Sequence, residues 1–180
     1  MNNYGQQKHK VFVSFYHKDD QKYKNYIDTY LSENIINKSV MDGEYAPDNS
    51  DLYIKRLIRE DKISDSSVIV VLVGPNTRKR KHVDWEIYAG LRASIKGNSG
   101  LVGVLLPELP LVSNGKYYIE DLPGRLRDNV ESGYASMYVW GNFVKYFDII
   151  INIAYSNRIL LKDRIVNNRQ QMCRNLGWNE

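Results

Sequence analysis

Residues 66–91, SSVIVVLVGPNTRKRKHVDWEIYAGL, decide the fold. Val68 to Val73 is apolar at every position, without the alternation of a half-exposed strand, as expected for a strand covered on both faces. Gly74-Pro75-Asn76 stops it. Val83, Ile87 and Leu91, with Ile95 beyond the quoted stretch, recur at four-residue spacing, so a helix follows and ends at Gly97-Asn98. A buried strand feeding an amphipathic helix is the repeating unit of an α/β protein with a parallel sheet.

Working outward, the unit repeats. Lys10 to Phe15 (KVFVSF) reads as a first strand. Asp19 and Asp20 supply an N-cap and first-turn acids, and Tyr23, Tyr26, Ile27, Tyr30 and Leu31 predict a helix to about Asn34. Ser39 to Asp42 reads as a short second strand closed by Gly43, followed by a loop to Asp51 and a helix with Leu52, Ile54, Leu57 and Ile58 on its apolar side. Leu101 to Leu106 is another buried strand, stopped by Pro107. Pro107 to Gly133 loses all periodicity and is predicted as a long loop with one short helical turn near Leu126. Ala135 to Trp140 reads as an edge-ward last strand, Phe143 to Ser156 as a packing helix, and 157–172 as a further helix with Ile159, Leu160, Ile165 and Val166. The βαβα alternation predicts a doubly wound parallel sheet flanked by helices, with extra C-terminal helices.

The chain has 180 residues, 43% of them hydrophobic, enough for one domain with one buried core. No apolar run approaches the ~20 residues that span a bilayer, and Met1 to Lys10 lacks the apolar stretch of a secretory signal. The single cysteine, Cys173, excludes an intrachain disulfide and a cysteine-based zinc site. Together these predict a cytoplasmic protein without a membrane partner. The net charge of +4 is mild, with its basic excess in Arg78 to Lys81 and in Arg158 to Arg174; solvated surface is the reading, and nucleic acid is not an expected partner. Tyrosine outnumbers phenylalanine 14 to 4, a usage expected of an AT-rich genome.

In open α/β sheets ligands bind outside the carboxyl ends of the strands. There the sequence places Ser14-Phe15-Tyr16-His17, the neighbourhood of Asp42, Gly74-Pro75-Asn76, and the start of the helix carrying Asp84, Trp85 and Glu86. Glu86 lies about 100° around that helix from Ile87, at the border of the buried stripe. A carboxylate there can be a sheltered catalytic group, or only a partner of the helix dipole, as Asp84 is read to be. Trp85 can wall a site or fill the core. No glycine-rich phosphate loop is present. His9, His17 and His82 lack metal-ligand spacing and read as surface histidines; no metal is expected. Ser14 has no evident histidine partner, Cys173 reads as an inert thiol, and Arg78 to His82 reads as a surface loop that can attract an anion.

VFVSFYHKDD at 11–20 resembles the first strand and following loop of TIR-like domains. DSSVIVVLVGPNTRKRKHVDWEI at 65–87 closely resembles the TIR-like proteins of the bacterial Thoeris anti-phage system, whose strand S-V-x-V-V-L-[IV]-G-x-x-T precedes W-V-x-[WY]-E-I. Here His82 replaces the first aromatic, while Val83, Trp85, Glu86 and Ile87 match. IEDLPGRLRDNVESGYASMYVW at 119–140 is similar to the downstream part of those proteins. The resemblance covers most of 10–158 and implies a TIR-like domain of flavodoxin-like fold there; residues 1–9 read as a flexible lead and 159–180 as a helical extension packed on the same domain.

The resemblance further implies an enzyme that cleaves NAD between nicotinamide and ribose, with Glu86 as the catalytic glutamate. Ser14, Phe15, Asp42, Gly74 and Trp85 would then lie by the NAD. NAD is the substrate, and no cofactor is implied. The product would be a cyclic or conjugated ADP-ribose signal that acts on a separate effector; a phage trigger and a homo-oligomer are further implied partners. One carboxylate suits this chemistry. Ordinary glycosidases use two, because the leaving oxygen must be protonated. Nicotinamide leaves NAD as a neutral molecule, so one anion that stabilises the ribosyl cation is enough. Two other readings remain open: a non-catalytic TIR-like adaptor, and a nucleoside deoxyribosyltransferase-like enzyme, which also uses a glutamate on a similar fold.

Overall fold

In the computed structural model, which describes residues 8–37, 61–92, 97–112 and 116–177, one parallel sheet is built from His9–Ser14 (β1), Ile35–Asn37 (β2), Val68–Val73 (β3), Gly100–Leu105 (β4) and Ser136–Val139 (β5). The strand order is β2-β1-β3-β4-β5, and every pairing is parallel. Val13, Val70, Val102 and Ser136 stand in one rung across four strands. Every residue of β3 and β4 is buried, which explains why neither sequence alternates.

The helices are His17–Tyr26 (α1), Lys81–Leu91 (α2), Gly124–Glu131 (α3), Trp140–Lys145 (α4) and Phe147–Leu160 (α5). Side chains alternate across the sheet and split the core in two. Val11, Val13, Val70, Leu72 and Val104 meet Tyr23 and Ile27 of α1 and Phe143, Phe147, Ile150 and Ile151 of α4 and α5. Phe12, Ile69, Val71, Val73 and Leu101 meet Val83 and Ile87 of α2 and Leu126 of α3. Burying each such aliphatic side chain contributes about 1.5–3 kcal/mol. The sheet is thus covered on both faces, and the strand order reverses between β1 and β3.

The structure shifts several expected elements. The strand paired with β1 is Ile35–Asn37; Ser39 to Asp42 and the helix expected over Leu52 to Ile58 lie outside the described residues, which resume with helical turn at 61–64. The first helix does not run uniformly to Asn34: beyond Tyr26 it widens to a π turn, Ile27–Leu31, and tightens to a 3-10 turn, Ser32–Asn34. The α2 helix ends at Leu91, whose carbonyl accepts from Asn98 Nδ2 at 2.6 Å; Ile95 lies outside the described residues. The packing helix breaks at Tyr146 into α4 and α5.

Two differences are larger. The stretch expected as loop holds a full helix, α3, whose inward face combines Leu126 with the buried Arg125 and Asn129. Polar residues at core positions hide its period. Conversely, 157–172 is α-helical only to Leu160; a 3-10 turn, Lys162–Arg164, then gives way to extended chain. That extended segment is fastened to α2 and α3 by polar groups: the Asn129 side chain donates to the Val166 carbonyl at 2.7 Å and accepts from the Val166 N–H at 3.0 Å.

Candidate functional site

Ser14 ends β1 and, by alternation, lies on the Phe12 side of the sheet, the side that α2 covers. In α2, Val83, Ile87 and Gly90 turn to the sheet, and Glu86 stands beside them at 3% exposure. The two side chains meet: Ser14 Oγ, wholly buried, donates a hydrogen bond to Glu86 Oε2. A carboxylate is therefore held at the carboxyl end of β1, where the sheet order reverses, the place such sheets reserve for ligands.

Two loops frame this pair. The first follows β1. The Phe15 ring joins the opposite core and stacks on His17 with centroids 4.2 Å apart, while its carbonyl accepts from His82 Nε2 at 3.1 Å. That bond places the His82 proton on Nε2. The second loop follows β3, where the Gly74 N–H donates to Thr77 Oγ1 at 2.9 Å. Thr77 in turn donates to Asp20 Oδ2 at 3.1 Å, and Asp20 also reaches back to accept from the N–H of Tyr16, the residue before α1, at 3.3 Å. A Cβ at Gly74 would come within 2.6 Å of Asp20 Oδ1, so any larger residue there must displace the buried Asp20 side chain.

Burial pushes the Asp20 carboxyl up to about 6, against the hydrogen bonds from Thr77 and Tyr16, and the charges of Asp19 and Glu108 add to the rise. Burial also acts to raise Glu108, beyond β4, but its hydrogen bonds from Lys22 and from the Tyr23 hydroxyl, at 2.5 and 2.8 Å, prevail and hold it below its ordinary value.

Of the residues expected by the substrate, Ser14 and Glu86 are in contact, and Phe15 and Gly74 lie in the two framing loops. Trp85 points elsewhere. Its indole N–H donates to the Met172 carbonyl at 2.9 Å, and the Lys81 ammonium lies 5.0 Å from its ring, so it packs beneath the C-terminal segment. Asp42 lies outside the described residues.

Several polar residues differ from their sequence reading. His9 is not on the surface but buried, bonded to Asn152 Oδ1 at 2.7 Å and stacked on Tyr155. His17 and His82 are half-buried in the rim. Lys79 is buried rather than part of an open basic loop, and the Arg80 guanidinium lies 4.0 Å over the Tyr16 ring. Asp84 is more than a dipole partner, since its Oδ1 accepts from the fully buried Arg125 Nε at 3.0 Å and its Oδ2 from the Met172 N–H at 2.9 Å. Among the described residues no group of three or more His, Cys, Asp or Glu side chains could hold a metal, and no helix is long and apolar enough to cross a membrane.

A five-stranded parallel sheet in the order β2-β1-β3-β4-β5, with the buried carboxylates of Glu86 and Asp20 at its switch point, is a flavodoxin-like α/β domain. The sequence profile of the Thoeris protein ThsB, TIR-like domain, matches residues 12–110, more than half of the chain. The chain belongs to this family of Thoeris TIR-like domains. A comparison with curated proteins finds no match. Among solved structures it is similar to the TIR domains of the activated Roq1 resistosome, which directly recognizes the pathogen effector XopQ, at 15% identity over 88% of this chain and 84% of that one, with a TM-score of 0.43.

Proposed function

We propose that this protein cleaves NAD at the nicotinamide–ribose bond with Glu86 as its catalytic residue. The observation that carries the reading is the buried Ser14–Glu86 hydrogen bond at the switch point of a Thoeris-type TIR-like sheet. In this reading Ser14 orients the carboxylate, and the carboxylate faces the ribose. As the glycosidic bond breaks, its electron pair passes to the pyridinium nitrogen, and nicotinamide departs neutral without a general acid. The positive charge left on the ribose is stabilised by Glu86 in a site with little water, where a fixed charge acts most strongly. Capture of that cation by water gives ADP-ribose; capture by a nucleophile within the same molecule gives a cyclic product.

Family membership supports the wider role: production of an ADP-ribose-derived signal in anti-phage defence, read by a separate effector in the same cell, with a phage component as trigger and self-assembly as a means of activation. The test is chromatography of NAD incubated with the purified protein, and of nucleotide extracts from phage-challenged cells expressing it. Nicotinamide and an ADP-ribose-derived species should form with the native chain and not with Glu86→Gln. Equal NAD loss in challenged cells carrying either chain would remove Glu86 as the catalyst. Intact NAD in both settings would leave the adaptor reading.

A further inference from the structure

The loop after β1 and the loop after β3 come from strands adjacent in the sheet but more than 50 residues apart in sequence, and the Asp20 carboxylate bonds to both. Asp20, 3% exposed, accepts from the Tyr16 N–H in the first loop and from the Thr77 hydroxyl in the second, and Thr77 itself accepts from the Gly74 N–H. Asp19 adds a second tie, accepting from Asn76 Nδ2 at 2.7 Å. The first loop begins at Ser14; the second leads through Arg80 into α2 and Glu86. The Ser14–Glu86 hydrogen bond therefore spans the two bodies that Asp20 holds together.

We infer that Asp20 is a positioning residue for the site: its carboxylate clamps the two loops and so sets the alignment of Ser14 with Glu86. This rests on the reading of Glu86 as the catalytic group. The clamp is made by an acceptor-only carboxylate, and protonation withdraws part of that capacity. The charged groups that act on it are Asp19 on α1 and Glu108 beyond β4, the latter itself bonded by Lys22 and the Tyr23 hydroxyl. The Asp20 carboxyl titrates at about 6, within reach of a pH profile.

The experiment compares wild type with Asp20→Asn, Thr77→Val and Thr77→Ser from about pH 5 to about pH 8. One arm reads NAD cleavage. The other needs no substrate and follows the Glu86 carboxyl carbon by NMR in protein labelled with carbon-13 glutamate. In wild type, kcat should fall on the acid side with a midpoint near Asp20's value of about 6, and the Glu86 resonance should inflect there. In Asp20→Asn the inflection should vanish and kcat should drop roughly tenfold, with KM changed by less than about twofold. Thr77→Val should lower kcat similarly, and Thr77→Ser, which keeps the hydroxyl, should restore it; this pair carries the test if Asp20→Asn fails to fold. A Glu86 resonance with the same pH course in wild type, Asp20→Asn and Thr77→Val would overturn the clamp. A wild type that leaves NAD intact, yet shows the Asp20-dependent inflection, would overturn the NAD reading and leave the clamp standing.

Discussion

Glutamine in place of Glu86 keeps the shape of the side chain and can still accept the Ser14 hydroxyl, but it removes the charge. Glu86→Gln should therefore fold with an unchanged melting temperature while its NAD cleavage, measured by released nicotinamide, falls by at least about a hundredfold. A variant that melts as wild type and cleaves as wild type would refute the assignment. Gly74 is tested by stability. Its added methyl in Gly74→Ala meets Asp20 Oδ1 at 2.6 Å and must displace that side chain, at about 1–3 kcal/mol by urea unfolding. In the background of Asp20→Ala the same change should cost less than about half as much, because the obstructing atoms are gone. Glu86 was legible because it stands in a specific motif beside a core residue. Asp20 and Thr77 were not. Each is an ordinary helix-start or turn residue in its own segment, and their meaning arises only from a hydrogen bond across 57 positions of sequence.

The elements were legible where apolar residues repeat and illegible where polar residues occupy the core. β3 and β4, apolar throughout, and α2, with Val83, Ile87 and Leu91 buried, lie where sequence pattern puts them. In α3 the inward positions include Arg125 and Asn129, which a hydrophobic period cannot register. Arg125 bonds Asp84 through Nε, the Asn167 side chain at 2.9 Å and the Arg169 carbonyl at 2.8 Å, with its guanidinium 5.0 Å from the Tyr88 ring. The C-terminal segment is thus organised by one buried cation and does not need a helix of its own. Further bonds tie it along α2 and the turn before it: Lys81 N–H to Asn175 Oδ1, Leu176 N–H to the Lys79 carbonyl, and Asn167 Nδ2 to the Tyr88 carbonyl. Removing one partner of a buried ion pair leaves the other uncompensated. Arg125→Met should therefore destabilise the protein by about 3–5 kcal/mol in urea unfolding. Adding Asp84→Asn, which still accepts the Met172 N–H, should recover at least about 1 kcal/mol of the loss. A double variant as unstable as the sum of the singles would mean that Asp84 and Arg125 do not act as a pair.

For the whole molecule, Asp20 makes stability and site alignment depend on pH in opposite directions. Its carboxyl titrates at about 6 in the folded chain against an ordinary value of 3.8. Between these values the folded protein keeps a proton that the unfolded chain has released. The stability this group contributes is therefore greatest below the lower value and declines as pH rises to the upper one, by up to about 3 kcal/mol. Two other carboxylates work the other way. Asp128, held down chiefly by its hydrogen bond from Arg169, and Glu108, where hydrogen bonds from Lys22 and Tyr23 outweigh burial, stabilise the fold above their ordinary values and lose that contribution as pH falls. The total curve mixes these effects, but the difference between Asp20→Asn and wild type isolates Asp20. In urea unfolding at a series of pH values, the variant should gain on wild type as pH climbs from about 4 to about 6, and the gap should be constant above about 7. A gap independent of pH across that window would mean that Asp20 does not titrate there. With the window confirmed, the Asp20 contribution to stability should fall as NAD cleavage rises, because the ionised carboxylate that strains the interior is the form that clamps the two loops around Ser14 and Glu86.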